Sequence, residues 1–361
     1  MAKSTPLLHF RDWLDTADNL LIAGPCGAET EQQVMETARG IAALNRPVLF
    51  RSGVWKPRTR PNSFEGVGEP ALKWLQRVQN EFRLKTAVEV ANRKHVELAL
   101  RYGVDVLWIG ARTTVNPFSV QEIADALRGS DVPVMVKNPV HADLQLWMGA
   151  IERVRQAGMQ KVVAVHRGFY NPRQSYYRND PMWELAIELK TAMPELPIIC
   201  DPSHILGRRN GLQSVAQKAI DLGMEGLMIE THCNPDTAWS DAAQQVTPDG
   251  LNLLLHSLVF RTSSSENQEF KDKLQQLRDI IDELDEELIL LLKRRSEIIS
   301  KIGEYKKDHH ITIFQLERWM EILRTRTTSA TEKGFSKDFI EKLCLLLHEE
   351  SIRKQQEIMN S

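Results

Sequence analysis

PVLFRSGVWKPRTRP, residues 47–61, governs how the rest of the chain is read. Val48, Leu49 and Phe50 form the short apolar run expected of a buried parallel strand, and Arg51, Lys56, Arg58, Thr59 and Arg60 follow it at once. In parallel α/β folds the carboxyl ends of the strands open onto the active site, so these cations stand where an anion is held. Pro57 fixes its own φ and restricts Lys56, which stiffens the loop. One such loop by itself reads as a solvated basic loop. Its meaning depends on whether other strand ends look the same.

Outward from this stretch, seven more runs have strand character: Leu20 to Ala23, Thr86 to Val90, Val104 to Ile109, Val134 to Lys137, Val162 to His166, Ile198 to Cys200 and Gly226 to Glu230. Amphipathic helical patterns lie between them, and Gly250 to Val259 closes the series. Strand and helix alternating eight times within about 250 residues predicts an α/β fold of the closed (β/α)8 TIM barrel type over residues 1–260. An open doubly wound sheet is the alternative, and the GxGxxG fingerprint it would carry after its first strand is absent.

Residues 261–270, RTSSSENQEF, are polar and serine-rich and read as a linker. Beyond them, over 271–361, the pattern becomes wholly helical. Leu274, Leu277, Ile281, Leu284, Leu288, Leu291, Ile298, Ile302 and Tyr305 recur at alternating three- and four-residue spacing, a heptad seam. Arg295 occupies a seam position that calls for an apolar residue, so it either snorkels out or does chemistry. With two further helical stretches, Phe314 to Arg326 and Lys337 to Ile358, the tail is an all-α domain of three helices whose seam pairs with a second chain.

Composition narrows the function classes. Lysine plus arginine, 46, nearly balance aspartate plus glutamate, 48, which gives no reason to expect a nucleic-acid or membrane partner. The amino-terminal residues show no secretory pattern, no segment is apolar enough to span a bilayer, and a cytoplasmic location is expected. The barrel begins almost at the start of the sequence, which leaves no room for a preceding regulatory domain. Four scattered cysteines, Cys26, Cys200, Cys233 and Cys344, suggest buried thiols or a thiolate ligand more than disulfides.

The strand ends share one character: Cys26, Arg51 with Lys56, Glu89, Arg112, Lys137, His166 with Arg167, Asp201 with His204, and Glu230 with His232. Each cation alone reads equally as half of a structural ion pair. Together Arg51, Lys56, Arg112, Lys137 and Arg167 favour a small substrate bearing phosphate and carboxylate groups. Cys26, His204, Glu230 and Asp241 form a second set of sulfur, nitrogen and oxygen donors, suited to manganese, iron, cobalt or zinc as a divalent ion. Without a barrel to bring them together, Cys26 reads as a buried thiol and His204 as a hydrogen-bonded loop histidine.

Gly24-Pro25-Cys26, Lys56-Pro57-Arg58-Thr59, Ile109-Gly110-Ala111-Arg112-Thr113, Asp201-Pro202-Ser203-His204 and Gly207-Arg208-Arg209 resemble, in order, the signature blocks of the 3-deoxy-D-arabino-heptulosonate 7-phosphate (DAHP) synthases, in their smaller type I (beta) class. The resemblance implies condensation of phosphoenolpyruvate with erythrose 4-phosphate, the entry to the shikimate pathway and aromatic amino acid biosynthesis, with a divalent metal such as manganese. It implies Cys26, His204, Glu230 and Asp241 as metal ligands, and Arg51, Lys56, Arg112, Lys137 and Arg167 around phosphoenolpyruvate. Arg58 and Thr59 would meet the aldose phosphate. Lys56 and His166 are candidate proton carriers, Lys56 the better placed. Cys233 departs from the family pattern and is either inert or able to pair with Cys26 when metal is absent. The sister synthases that use arabinose 5-phosphate lack the Lys-Pro-Arg-Thr block.

In the tail, Arg295 and Lys306 return to nearly the same helix face roughly 16 Å apart, and Ser351 and Gln355 repeat the pattern at i and i+4. The tail is similar to the all-helical chorismate mutases through Arg278, Asp285, Arg295, Lys306, Arg318, Ser351 and Gln355. That similarity implies rearrangement of chorismate to prephenate without any cofactor, with Arg295, Lys306 and Gln355 catalytic and with Arg278, Arg318 and Ser351 holding substrate. It also implies an interlocked homodimer in which Arg278 reaches the partner's site. Trp319 stands where some relatives carry a glutamate for the substrate hydroxyl, and a tail that only dimerises the protein is the alternative. The fusion suggests feedback, with prephenate bound by the tail inhibiting the barrel.

Overall fold

Eight parallel strands close into a barrel in sequence order: β1 (Leu20–Gly24), β2 (Leu49–Ser52), β3 (Thr86–Val90), β4 (Val106–Ile109), β5 (Val134–Lys137), β6 (Val162–His166), β7 (Ile198–Cys200) and β8 (Gly226–Glu230). The computed structural model describes residues 6–14, 19–57, 63–172, 176–261 and 264–360. Arg58, Thr59 and Arg60 lie outside the described residues. Two compact units divide the chain, residues 1–263 and 264–361.

The strands are buried on both faces, which is why they read as short apolar runs. Alternation along each strand still matters, because one face fills the lumen and the other meets the helices. Leu20, Ile22, Leu49, Ala87, Val106, Trp108, Met135, Val163, Val165, Ile199 and Met228 form the inner core, and Phe10 and Leu14 belong to the same cluster. The opposite parity, such as Phe50, Leu107, Val136, Ala164 and Ile229, packs outward.

The helices around the barrel are α1 (Glu31–Ala42), α2 (Glu69–Phe82), α3 (Arg93–Arg101), α4 (Ala111–Thr114), α5 (Pro117–Leu127), α6 (Leu144–Gln156), α7 (Trp183–Ala192), α8 (Pro202–Leu206), α9 (Leu212–Asp221) and α10 (Pro248–Ser257). Several starts are fixed by local chemistry: Thr30, Asn92 and Asp143 each accept a hydrogen bond from the backbone amide three residues on. α5 begins at Pro117, because Asn116 caps it and Pro117 fits the first turn. The short helices α4 and α8, hidden in the sequence pattern, directly follow β4 and β7.

The second unit has three helices: α11 (Gln268–Asp308), α12 (Leu316–Glu332) and α13 (Lys337–Asn360). Asn267 caps α11 by accepting from the Phe270 amide, so the helix starts inside the polar stretch read as linker. With 41 residues α11 is about 60 Å long. It packs along α13, which also carries α12. No helix among the described residues is long and apolar enough to cross a membrane.

Candidate active sites

Lumen parity puts Arg51, Glu89, Lys137, Arg167, Asp201 and Glu230 at the carboxyl end of the barrel interior, because each continues the inward-facing set of its strand. The turn out of β1 needs glycine: Gly24 has φ +146°, and a Cβ there would lie 2.0 Å from the Arg51 carbonyl oxygen. That close approach sets Cys26 beside the end of β2. Arg51 Nη2 donates to the Cys26 carbonyl at 3.3 Å, and Lys56 Nζ is 2.8 Å from both that oxygen and Cys26 Sγ.

Ligand atoms of Cys26, Glu230 and Asp241 lie within 4.8 Å of one another. The Cys26 thiol donates to Asp241 Oδ2 at 3.1 Å. His204 stands next to this triangle, its Nε2 3.6 Å from Glu230 Oε1, and its Nδ1 is 2.7 Å from Asp201 Oδ2. Asp201 caps α8 by accepting from the His204 amide, which ties the two residues together. Burial lowers the His204 pKa and favours the neutral imidazole, the form that ligates. Burial also pushes the Cys26 thiol up to about 12, with Glu230 adding and Lys56 opposing. A bound cation would reverse that, since a coordinating thiol is deprotonated. Glu230 Oε1 is buried without a hydrogen-bond partner, although Arg51 Nη1 lies 3.2 Å away. Buried sulfur and carboxylate donors converge here, and among the described residues Glu230 Oε1 is met only by the ion pair with Arg51 and by His204 Nε2, an arrangement that fits a divalent ion.

The five candidate cations differ in burial. Arg51, Lys137 and Arg167 are buried, Lys56 is half-buried and Arg112 is exposed on α4. The Lys137 ammonium meets Asp201 Oδ2 at 2.7 Å. Burial alone would raise the Asp201 pKa, and His204 and Lys137 more than reverse it, leaving the carboxyl well below its usual range. Burial brings Arg167 down to about 10 against the pull of Asp201. Its Nη1 donates to Asn179 Oδ1 at 2.8 Å, and its backbone amide donates to Asn138 Oδ1 at 2.7 Å. Arg51 and Lys137 both lie over the Trp108 ring, at 5.0 and 5.9 Å from its centroid. Gly110, just before Arg112, is compelled by Glu89, whose Oε1 a Cβ would meet at 1.9 Å.

His166 is elsewhere. It shares the parity of Val162 and Ala164, so its ring points toward the helices, among Trp147, Phe169 and Trp183 at centroid distances of 6.2, 5.8 and 5.3 Å. Burial holds it neutral, with its pKa lowered to about 3. All four cysteines are free thiols, and Cys233 Sγ lies 3.8 Å from both the Gln33 carbonyl and His232 Nδ1. Arg178, Asn138, Asn179, Gln244 and Gln245 support the site without having stood out in the sequence; polar side chains in loops carry no periodic signal.

The second unit has its own cavity, of about 860 Å³, lined by Arg295, Lys306, Arg318, Trp319, Ser351 and Gln355 among others. Arg295 Nη1 donates to Ser351 Oγ at 2.9 Å across the α11/α13 contact, so the seam arginine is turned into the bundle. Lys306 Nζ donates to the Ile313 carbonyl at 2.6 Å, and burial lowers its pKa. Trp319 stacks on His348 with centroids 4.2 Å apart. Arg278 and Asp285 are exposed on α11, and neither lines the cavity.

The DAHP synthetase I family model matches residues 15–264, and the model described as chorismate mutase type II matches residues 277–356. A phospho-2-dehydro-3-deoxyheptonate aldolase of Thermotoga maritima is 30% identical over 226 residues, covering 63% of this chain and 64% of its own length. A 2-dehydro-3-deoxyphosphooctonate aldolase of Legionella pneumophila is 27% identical over 258 residues, covering 66% of this chain and 89% of its own. Among solved structures, the crystal structure of a Thermotoga maritima DAHP synthase superposes with a TM-score of 0.59 at 26% identity, covering 67% of this chain and 68% of that one.

Proposed function

We propose an activity from one premise: the chain belongs to the DAHP synthetase I family and carries a type II chorismate mutase domain after its barrel. The barrel condenses phosphoenolpyruvate with erythrose 4-phosphate to DAHP and phosphate, the tail converts chorismate to prephenate, and the enzyme works in the cytoplasm. The observation that supports the first reaction best is the joining of two sets at one barrel mouth, where Lys56 Nζ stands 2.8 Å from Cys26 Sγ.

Arg51, Lys137, Arg167 and Arg112 hold the phosphate and carboxylate of phosphoenolpyruvate, the buried three fixing its orientation. Arg58 and Thr59 meet the aldose phosphate. Cys26, His204, Glu230 and Asp241 would hold the divalent ion, manganese in this reading, which when bound supplies Lewis-acid polarisation of the aldehyde. The C3 carbon of phosphoenolpyruvate bonds to the aldehyde carbon, and Lys56 Nζ delivers a proton to the oxygen that becomes a hydroxyl. Water then adds at C2 and gives up two protons, one returning to Lys56 and one going to the phosphate as its C–O bond breaks, and the cationic cluster holds the departing hydrogen phosphate dianion. Trp108, under Arg51 and Lys137, helps keep further water out of the lumen.

In the tail, the rearrangement needs placement and charge only. Arg295 and Arg318 hold the carboxylates, while Lys306 and Gln355 face the ether oxygen as charge grows there. Leu277, Leu284, Leu288 and Leu291 are each more than half exposed on α11, an apolar stripe that supports a homodimer in which Arg278 reaches the partner's cavity. Prephenate occupying that cavity inhibits the barrel through a shift in domain packing. The test of the metal-dependent synthase reading is erythrose 4-phosphate-dependent consumption of phosphoenolpyruvate before and after stripping with chelator. Loss, with recovery on adding manganese, is expected; full turnover without metal would refute it.

A further inference from the structure

Two consecutive glutamines after β8, Gln244 and Gln245, are buried beside the ligand triangle. Gln244 Nε2 donates to Glu230 Oε2 at 2.7 Å, and its Oε1 accepts from Arg178 Nη1 at 2.7 Å. The same Nη1 reaches Asp241 Oδ1 at 2.8 Å. Gln245 Oε1 accepts from the Cys26 amide at 2.9 Å, while its Nε2 donates to the Ser240 carbonyl at 2.9 Å. One carboxylate oxygen of Glu230 and one of Asp241 are therefore taken up by a single bracket. The remaining oxygens are Asp241 Oδ2, which meets the Cys26 thiol, and Glu230 Oε1, which has no hydrogen-bond partner and faces Arg51 Nη1 in an ion pair at 3.2 Å.

An amide suits this position because it presents a donor and an acceptor on one carbon, bridging a carboxylate and a guanidinium without adding charge. A glutamate would set a second carboxylate against Glu230, and a leucine would leave Glu230 Oε2 unpartnered and Arg178 one acceptor short. The bracket also brings together three separate segments: the end of β1, the end of β8 and the loop carrying Asp241. Asp241 itself sits at φ +51°, a left-handed conformation that aspartate tolerates and that needs holding.

We propose that Gln244, with Gln245 beside it, is a positioning residue that selects which oxygen of Glu230 and of Asp241 faces the metal ion and assembles the ligands before the ion arrives. The inference rests on the metal reading above. Outer partners of this kind are worth about 10- to 100-fold in metal affinity.

The experiment titrates the chelator-stripped full-length chain with manganese and reads free ion by electron paramagnetic resonance, together with melting of the metal-free protein. Wild type, Gln244→Leu, Gln244→Glu and the ligand-deleted Cys26→Ala are compared. Both Gln244 variants are expected to bind manganese about 10- to 100-fold more weakly than wild type, with metal-free melting temperatures close to it. Wild-type affinity in either folded variant would overturn the proposal. So would a loss of affinity matched by an equal collapse of metal-free stability in both variants, since that marks a structural role. If wild type bound no manganese, or Cys26→Ala bound it as tightly, the metal reading itself would fall and take the inference with it.

Discussion

Lys56 Nζ lies 2.8 Å from Cys26 Sγ, so the first residue of the Lys-Pro-Arg-Thr block and the first metal-ligand candidate share one contact. That contact sets the Lys56 ammonium, the candidate proton carrier, at the edge of the Cys26, Glu230 and Asp241 cluster. Lys56→Met should lower synthase turnover by about 10²- to 10⁴-fold with little change in melting temperature. Near-normal turnover at saturating substrates would remove Lys56 from the proton path.

Asp201 and Lys137 form an ion pair that is almost fully buried. Removing one partner of such a pair costs about 3–5 kcal/mol, so Asp201→Asn should be destabilised by that order at pH 7. The folded Asp201 pKa is depressed, so its contribution is fully present above the unfolded value of about 4 and is lost as pH falls through the folded value. Denaturant unfolding from pH 7 down to 3 should therefore show the gap between wild type and variant narrowing below about pH 4. A gap independent of pH would contradict the pairing.

His166 sits in an aromatic cage with its pKa lowered to about 3. Between that value and the unfolded value of about 6.5 only the unfolded chain binds the proton, so this residue weakens the fold as pH drops. His166→Phe should gain stability relative to wild type on acidification from pH 7 to 4, while synthase turnover at pH 7.5 stays within a few-fold. A folded variant that lost turnover by about 10²-fold or more would return His166 to the proton path.

His166 also shows what the sequence could have yielded. Alternation from Val163 and Val165 makes Arg167 the inward residue of that strand end, and the same count turns Cys200 outward and Asp201 inward. All eight strands were legible because both faces are apolar and turn signals bound each run. Helices α4 and α8 were not, since four or five residues cannot display a 3.6-residue period. Gln244, Gln245 and Arg178 were hidden for another reason: their roles depend on three loops meeting, and no local pattern encodes that. Arg295 was legible as an anomaly in the seam, and its bond to Ser351 shows where the anomaly points.

Arg295→Leu separates a catalytic tail from a plain dimerisation module. Leucine suits a heptad seam, so the variant should be as stable as wild type or more stable. Chorismate turnover should fall by about 10²-fold or more, the scale of losing a charged group aimed at the transition state. A stable variant that still converts chorismate would mean that the seam arginine has no part in the chemistry.

The most direct measurement is loss of phosphoenolpyruvate by the full-length chain with manganese, run in parallel with erythrose 4-phosphate and with arabinose 5-phosphate, each with and without prephenate. Turnover with the four-carbon aldose phosphate, at least tenfold above that with the five-carbon one and falling as prephenate is added, is the predicted result. Turnover with arabinose 5-phosphate alone would contradict the account and place the barrel's chemistry with that of the octonate-forming synthases.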